Sequence, residues 1–125
     1  MTRPRGEDDT NEEVKVVIKG IQEVKGKDIV HLDLTKIPNA VCDHFLICHG
    51  ESDTQVAAIA TSVQKMMRET IGEKPWHVEG TQNAEWILVD YVNIVVHIFH
   101  KDKREFYDLE GLWADATINS IENVA

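Results

Sequence analysis

Cys42, His44, Cys48 and His49 bring soft metal ligands together within eight residues of chain. On an extended strand Cys42 and His44 would point the same way, which is the start of a zinc site. No CxxC, HxxxH or HExxH pair accompanies them, so the expectation is two buried, reduced cysteines and a histidine satisfied by hydrogen bonds. His97 and His100 are three apart, a spacing that a strand turns to opposite faces. His97, between Val96 and Ile98, reads as a polar group held on one sheet face, with Asp90 across a hairpin as its natural partner.

Phosphate chemistry has one candidate. His49-Gly50-Glu51-Ser52 lies between a short apolar strand and a helix, resembling the opening of a nucleotidyltransferase, where glycine and serine hold phosphates at a helix N-terminus. Such enzymes need two aspartates aimed at Mg²⁺ from one strand, and Asp90 is followed by Tyr91 and Val92. Glu51 and Asp53 suit the helix dipole better than a metal, and Ser52 suits a capping bond better than nucleophilic attack with His49 as base. GxGxxG, GxxxxGK[ST] and GxSxG are absent. The expectation is a protein with no catalytic residues, no metal and no cofactor; a nucleotidyltransferase-like enzyme or nucleotide-binding module using residues 49–52 is the alternative.

Binding chemistry is better supplied. Trp76, Trp86, Trp113, Tyr91 and Tyr107 are rigid and amphipathic, the side chains that dominate protein interfaces. Trp86 opens a strand and Tyr91 closes it, so both are expected at exposed ends of a sheet. Lys101, Lys103 and Arg104 form a short basic cluster interrupted by Asp102 and Glu105. Over the whole chain 13 basic residues face 22 acidic ones, and the net charge of -9 repels phosphate backbones while steering basic proteins inward. Little direct nucleic-acid contact is expected.

Several elements must position these groups. Residues 1–10 read as a flexible acidic tail, 11–116 as one domain, and 117–125 as a tail of uncertain order. Thr10 and Glu13 have capping-box spacing ahead of Val14, Val17, Ile18, Ile21 and Val24, a helical stripe ended by Gly26. Strands are expected at 28–34 and 41–48, and a helix at about 52–71 capped by Ser52 and Gln55. A short strand at 76–80 precedes a hairpin of 86–91 and 94–99, then a helix from 102 to about 116 with Gly111 in its middle. This order implies an α/β fold, a mixed five-stranded sheet flanked by helices. No segment reaches the roughly 18 apolar residues of a membrane span, and the start lacks a signal peptide's apolar run, so a cytoplasmic protein is expected. Cys42 and Cys48 on one strand would stand roughly 20 Å apart, too far to bridge.

Segments VEG at 78–80, AEWILVDY at 84–91, IVVHIF at 94–99 and REFYDLEGLWADA at 104–116 together resemble the Iojap-like ribosomal silencing factor family, RsfS. The first helix, DIVHLDL, DHFLICHGES and the helix after it follow in the family's order, so the likeness spans about residues 12 to 116. It implies a domain of nucleotidyltransferase-like shape without the catalytic acids. It also implies a translation repressor that binds ribosomal protein L fourteen of the large subunit and blocks subunit joining, and that can form a homodimer. On this resemblance Trp86, Asp90 and Tyr91 match the contact surface, with Asn93, Lys101 and Arg104 beside it. Glu79, Gly80, His97, Tyr107 and Trp113 match motifs assigned to architecture. The chain departs from the family at the hairpin tip, where Val92 and Asn93 stand in place of a common glycine and aspartate. Valine resists positive φ, so the turn is expected to change geometry or to shift that demand to Asn93.

Overall fold

The computed structural model describes residues 7–124, with side chains from residue 11 onward. Its elements are α1 (Glu7–Glu23), β1 (Lys27–Asp33), β2 (His44–Gly50), α2 (Asp53–Thr70), β3 (His77–Glu79), β4 (Trp86–Asp90), β5 (Ile94–His100), α3 (Lys101–Tyr107), α4 (Leu109–Leu112) and β6 (Thr117–Ser120). The six strands lie in the order β3-β4-β5-β2-β1-β6. Only β2 and β5 are parallel; the other neighbours run antiparallel, so the sheet is mixed.

The count of five strands is corrected by β6. Thr117 to Ser120 are exposed and carry no clear apolar alternation, so nothing local marks a strand. Pairing with β1 makes it one: Val30 meets Ser120 and Asp33 meets Thr117. Beyond β6, Ile121 N–H donates to the Ile29 carbonyl at 2.9 Å, and Asn123 and Asp28 exchange bonds of 2.7 and 3.0 Å. The segment after Thr117 is therefore tied to the sheet through residue 123.

The first helix begins at Glu7, upstream of the expected cap at Thr10; the expected tail's residues 1–6 lie outside the described residues. The single helix expected over 102–116 is two short ones. Asp108, at φ 43, ends α3 and its carboxylate then accepts the Gly111 N–H at 3.2 Å to start α4. A side chain at Gly111 would meet that carboxylate at 2.2 Å, so this glycine serves the turn between helices.

The two sheet faces are built differently. On one, α1 and α2 contribute Val14, Val17, Ile21, Val56, Ile59, Val63 and Met67 against Leu46, Cys48, Ile87, Val89, Ile94, Val96 and Ile98. Gly20 lets the helices close, since a Cβ there would come 2.9 Å from the Val63 Cα. The opposite face carries Leu32, Phe45, Ile47, Val95 and Phe99, covered at one end by Leu109, Trp113 and Ala116 and by the residues after β1. Each fully buried Ile, Leu or Phe contributes roughly 1.5–3 kcal/mol, so both faces supply core.

Candidate functional site

The period of a strand sorts the residues of the β4–β5 hairpin. Trp86, Leu88 and Asp90 lie on the face opposite the long helices, with Val95, His97 and Phe99 of β5 and Phe45 of β2. At the Asp90 end this face is uncovered. A groove of about 530 Å³ opens there, lined by Val41, Phe45, Trp76, Leu88, Asp90, Val92, Val95 and His97. Three of its apolar walls stand out into solvent, with Trp76 76 %, Val41 74 % and Val92 58 % exposed. Trp76 is anchored by its backbone N–H, donated to the Asp90 carbonyl at 2.8 Å, and its ring lies beside that of His77 at 5.9 Å.

Trp86 lies at the other end of the same strip. Its indole N–H donates to His97 Nδ1 at 3.1 Å, and its ring lies against His97, Phe99 and Tyr107. The partner expected for His97 was Asp90; the structure corrects this, because the Asp90 carboxylate accepts the Val92 N–H at 2.7 Å instead. An acceptor Nδ1 puts the His97 proton on Nε2, which is buried without a hydrogen-bond partner. Burial pushes the His97 pKa down to about 4. The ring is a neutral fixture that orients Trp86.

Gly80 supports the same corner. It sits at φ +85, and a side chain there would lie 2.0 Å from the Trp86 carbonyl, so only glycine lets the turn after β3 pass β4.

The remaining expected contact residues are dispersed. Tyr91 falls on the sealed face, 5 % exposed among the helix-side core, which corrects its placement at an exposed strand end. Burial and then Glu73 raise its hydroxyl above the usual tyrosine range. Asn93 is half-buried at the hairpin tip, where its carbonyl accepts the N–H groups of Asp43 and His44, each at 3.0 Å. Lys101 is exposed at the start of α3. Arg104 is spent inside the protein: it donates to His49 Nδ1 at 2.9 Å and to the Lys27 carbonyl at 3.4 Å, and pairs with Glu110 at 3.5 Å. Burial and this guanidinium hold His49 below its ordinary pKa.

At the hairpin tip the demand for positive φ does not move to Asn93. Val92 itself takes φ 76, and Asn93 N–H donates to the Tyr91 carbonyl at 3.0 Å around it. Sequence reasoning missed Trp76, Val41 and Leu88 as walls of the groove. Leu88 had a signal, its even spacing from Trp86 and Asp90, whereas Trp76 and Val41 sit outside strands and are brought in by the backbone path.

The other chemical candidates are used locally. His31 Nε2 and His44 Nδ1 lie 2.8 Å apart, and Cys42 donates its thiol to the His44 carbonyl at 3.3 Å. Burial pushes both Cys42 and Cys48 up to about 12. Among the described residues no three His, Cys, Asp or Glu side chains are placed to hold a metal. At 49–52, Ser52 Oγ accepts the Gln55 N–H at 3.1 Å and Gln55 Oε1 accepts the Glu51 N–H at 2.7 Å, closing the helix start with its own side chains. His100 accepts the Asp102 N–H at 3.2 Å and caps α3.

The sequence profile described as "Ribosomal silencing factor during starvation", RsfS, matches residues 7–125. The chain belongs to the RsfS family. The ribosomal silencing factor RsfS of Bacillus subtilis is 41% identical over 109 residues, covering 87% of this chain and 91% of that one. A crystal structure of a Chromobacterium violaceum protein superposes with a TM-score of 0.79 at 36% identity, covering 83% of this chain and 85% of that one. A more distant relative is the mouse protein named mitochondrial assembly of ribosomal large subunit protein 1, 32% identical over 73 residues, which cover 57% of this chain and 32% of that one. RsfS membership gives the chain a translation-related regulatory role. Among the described residues no helix is long and apolar enough to cross a membrane.

Proposed function

We propose that this chain is a cytoplasmic translation repressor that docks on ribosomal protein L fourteen of the large subunit and blocks subunit joining by occupying its surface, without turnover. The observation that carries this reading is the open groove with apolar walls and a single carboxylate, Asp90, on a chain of net charge -9. A basic ribosomal protein presenting apolar side chains complements both features. The silencing role in the family's description and the mouse relative's name, which refers to the ribosomal large subunit, support the same reading.

The docking surface we assign runs from Trp86 along Leu88 to Asp90, with Trp76, Val41 and Val92 as its raised rim. Tyr91 then acts from behind, by fixing the hairpin end, and Arg104 by fixing α3. Asn93 holds the tip in shape, and Lys101 is left as a peripheral contact. The mixed sheet serves here as a platform; at residues 49–52, where the sequence offered a phosphate site, the α2 start is already capped from within. A homodimer is compatible with this docking mode provided that the groove stays open.

Co-sedimentation with isolated ribosomal subunits tests the proposal. The protein is expected to pellet with large subunits and to stay in solution with small ones. Equal recovery with both, or binding of nucleoside triphosphates with Mg²⁺ by calorimetry and no ribosomal binding, overturns it.

A further inference from the structure

Six non-glycine residues among those described have positive φ: Lys25, Asp28, Asn39, Ala84, Val92 and Asp108. Val92 is the β-branched one, and valine is among the least tolerant of that region because its branched Cβ crowds the backbone. The hydrogen bond from Asn93 N–H to the Tyr91 carbonyl closes a γ-turn around it, and the positive-φ form of that turn is strained. Two contacts enforce it: Asp90 Oδ1 accepts the Val92 N–H at 2.7 Å, and Tyr91 N–H donates to the Ile94 carbonyl at 2.8 Å.

The backbone at the tip lets the Asn93 carbonyl hold Asp43 and His44, but the Val92 side chain itself gives the core nothing in return for the strain. The Val92 side chain is 58 % exposed and belongs to neither packed cluster. It does line the groove, facing the same space as Val41, Trp76 and Leu88, while Asp90, which holds its amide, supplies the groove's carboxylate. A strained residue whose side chain does not pack in the core but walls an open apolar groove is placed for a partner.

We infer that Val92 is an affinity-determining contact of the docking surface, held in an unfavourable backbone conformation so that its side chain meets an apolar group of the basic partner beside Asp90. This rests on the docking reading proposed above. Strained backbone and partner contact are therefore linked at one residue: relief of the first weakens the second.

The test uses the full-length chain with Val92→Gly, melting temperature as one readout and affinity for isolated large subunits as the other. Glycine removes strain and side chain together, so the melting temperature rises by roughly 3 °C while affinity falls about tenfold. Val92→Asn, which tolerates positive φ but offers no apolar branch, moves both readouts in the same directions. Val92→Ile keeps the strain and the apolar branch and holds wild-type affinity within about twofold. Wild-type binding by Val92→Gly and Val92→Asn overturns the inference and leaves the docking reading standing. Should the wild-type chain itself fail to bind large subunits, the docking reading falls and takes this inference with it. A Val92→Gly chain that loses self-association but keeps subunit affinity assigns the rim to a second copy and likewise overturns the inference.

Discussion

The two faces of one sheet in this molecule obey different rules. Behind the helices, Ile87, Val89, Tyr91, Ile94, Val96 and Ile98 are buried in one cluster with α1 and α2. On the other side Trp86, Leu88 and Asp90 alternate with them along the same strand, beside a neutral buried histidine and a groove with exposed apolar walls. Both faces supply core, but one is closed by the long helices while the other leaves apolar side chains in solvent beside a carboxylate. Neighbouring residues such as Asp90 and Tyr91 therefore have different surroundings, one in the groove and one in the helix-side core.

This contrast can be broken by mutation. The largest effect on stability is expected on the sealed face: Ile98→Ala should lose about 3 kcal/mol in urea unfolding, because the close-packed helices cannot collapse into the space. A change confined to a lower urea gradient, with an unmoved midpoint, would show that this face is not the core that the packing describes.

Acid should produce the next effect. Folded His97 resists protonation down to about pH 4, whereas the unfolded chain accepts a proton near 6.5. Between those values the unfolded state binds more protons, so stability is intact above the window and falls as pH drops through it, by about 3 kcal/mol at the limit. His31 and His49, also lowered, act in the same direction. Chemical unfolding from pH 7 to pH 4 checks this, and His97→Gln should flatten the slope.

Tyr91→Phe should do least. The Tyr91 hydroxyl is buried without a hydrogen-bond partner, so its removal should shift stability by under about 1 kcal/mol and leave ribosomal binding unchanged. A binding loss without destabilisation would return Tyr91 to the contact surface and blur the distinction between faces.

Much of this organisation was legible in the sequence. The α2 stripe with its Ser52 and Gln55 cap, and the β4–β5 hairpin, formed from local periodicity and turn chemistry. The family motifs led to the same strand on which the groove lies. Strand alternation alone would have separated Tyr91 from Trp86 and Asp90, a signal outweighed by its place at the strand end. The rest was not local. The β6 strand exists through its pairing with β1, and Arg104 is occupied by His49 and Lys27, distant in sequence. Trp76 joins the site because its backbone is hydrogen-bonded to Asp90. Val92 violated the propensity rule used to exclude it from positive φ, and it did so at the mouth of the groove.

The most direct measurement of the central claim is co-sedimentation of Trp76→Glu with isolated large ribosomal subunits, with its melting temperature taken in parallel. Trp76 is 76 % exposed and belongs to neither core cluster, so the substitution separates docking from folding better than one at half-buried Trp86. The open-face account predicts an unchanged melting temperature and affinity lowered by about thirtyfold or more, the loss of roughly 2 kcal/mol or more of an interface anchor. A well-folded Trp76→Glu chain that pellets with large subunits as the wild type does would contradict it.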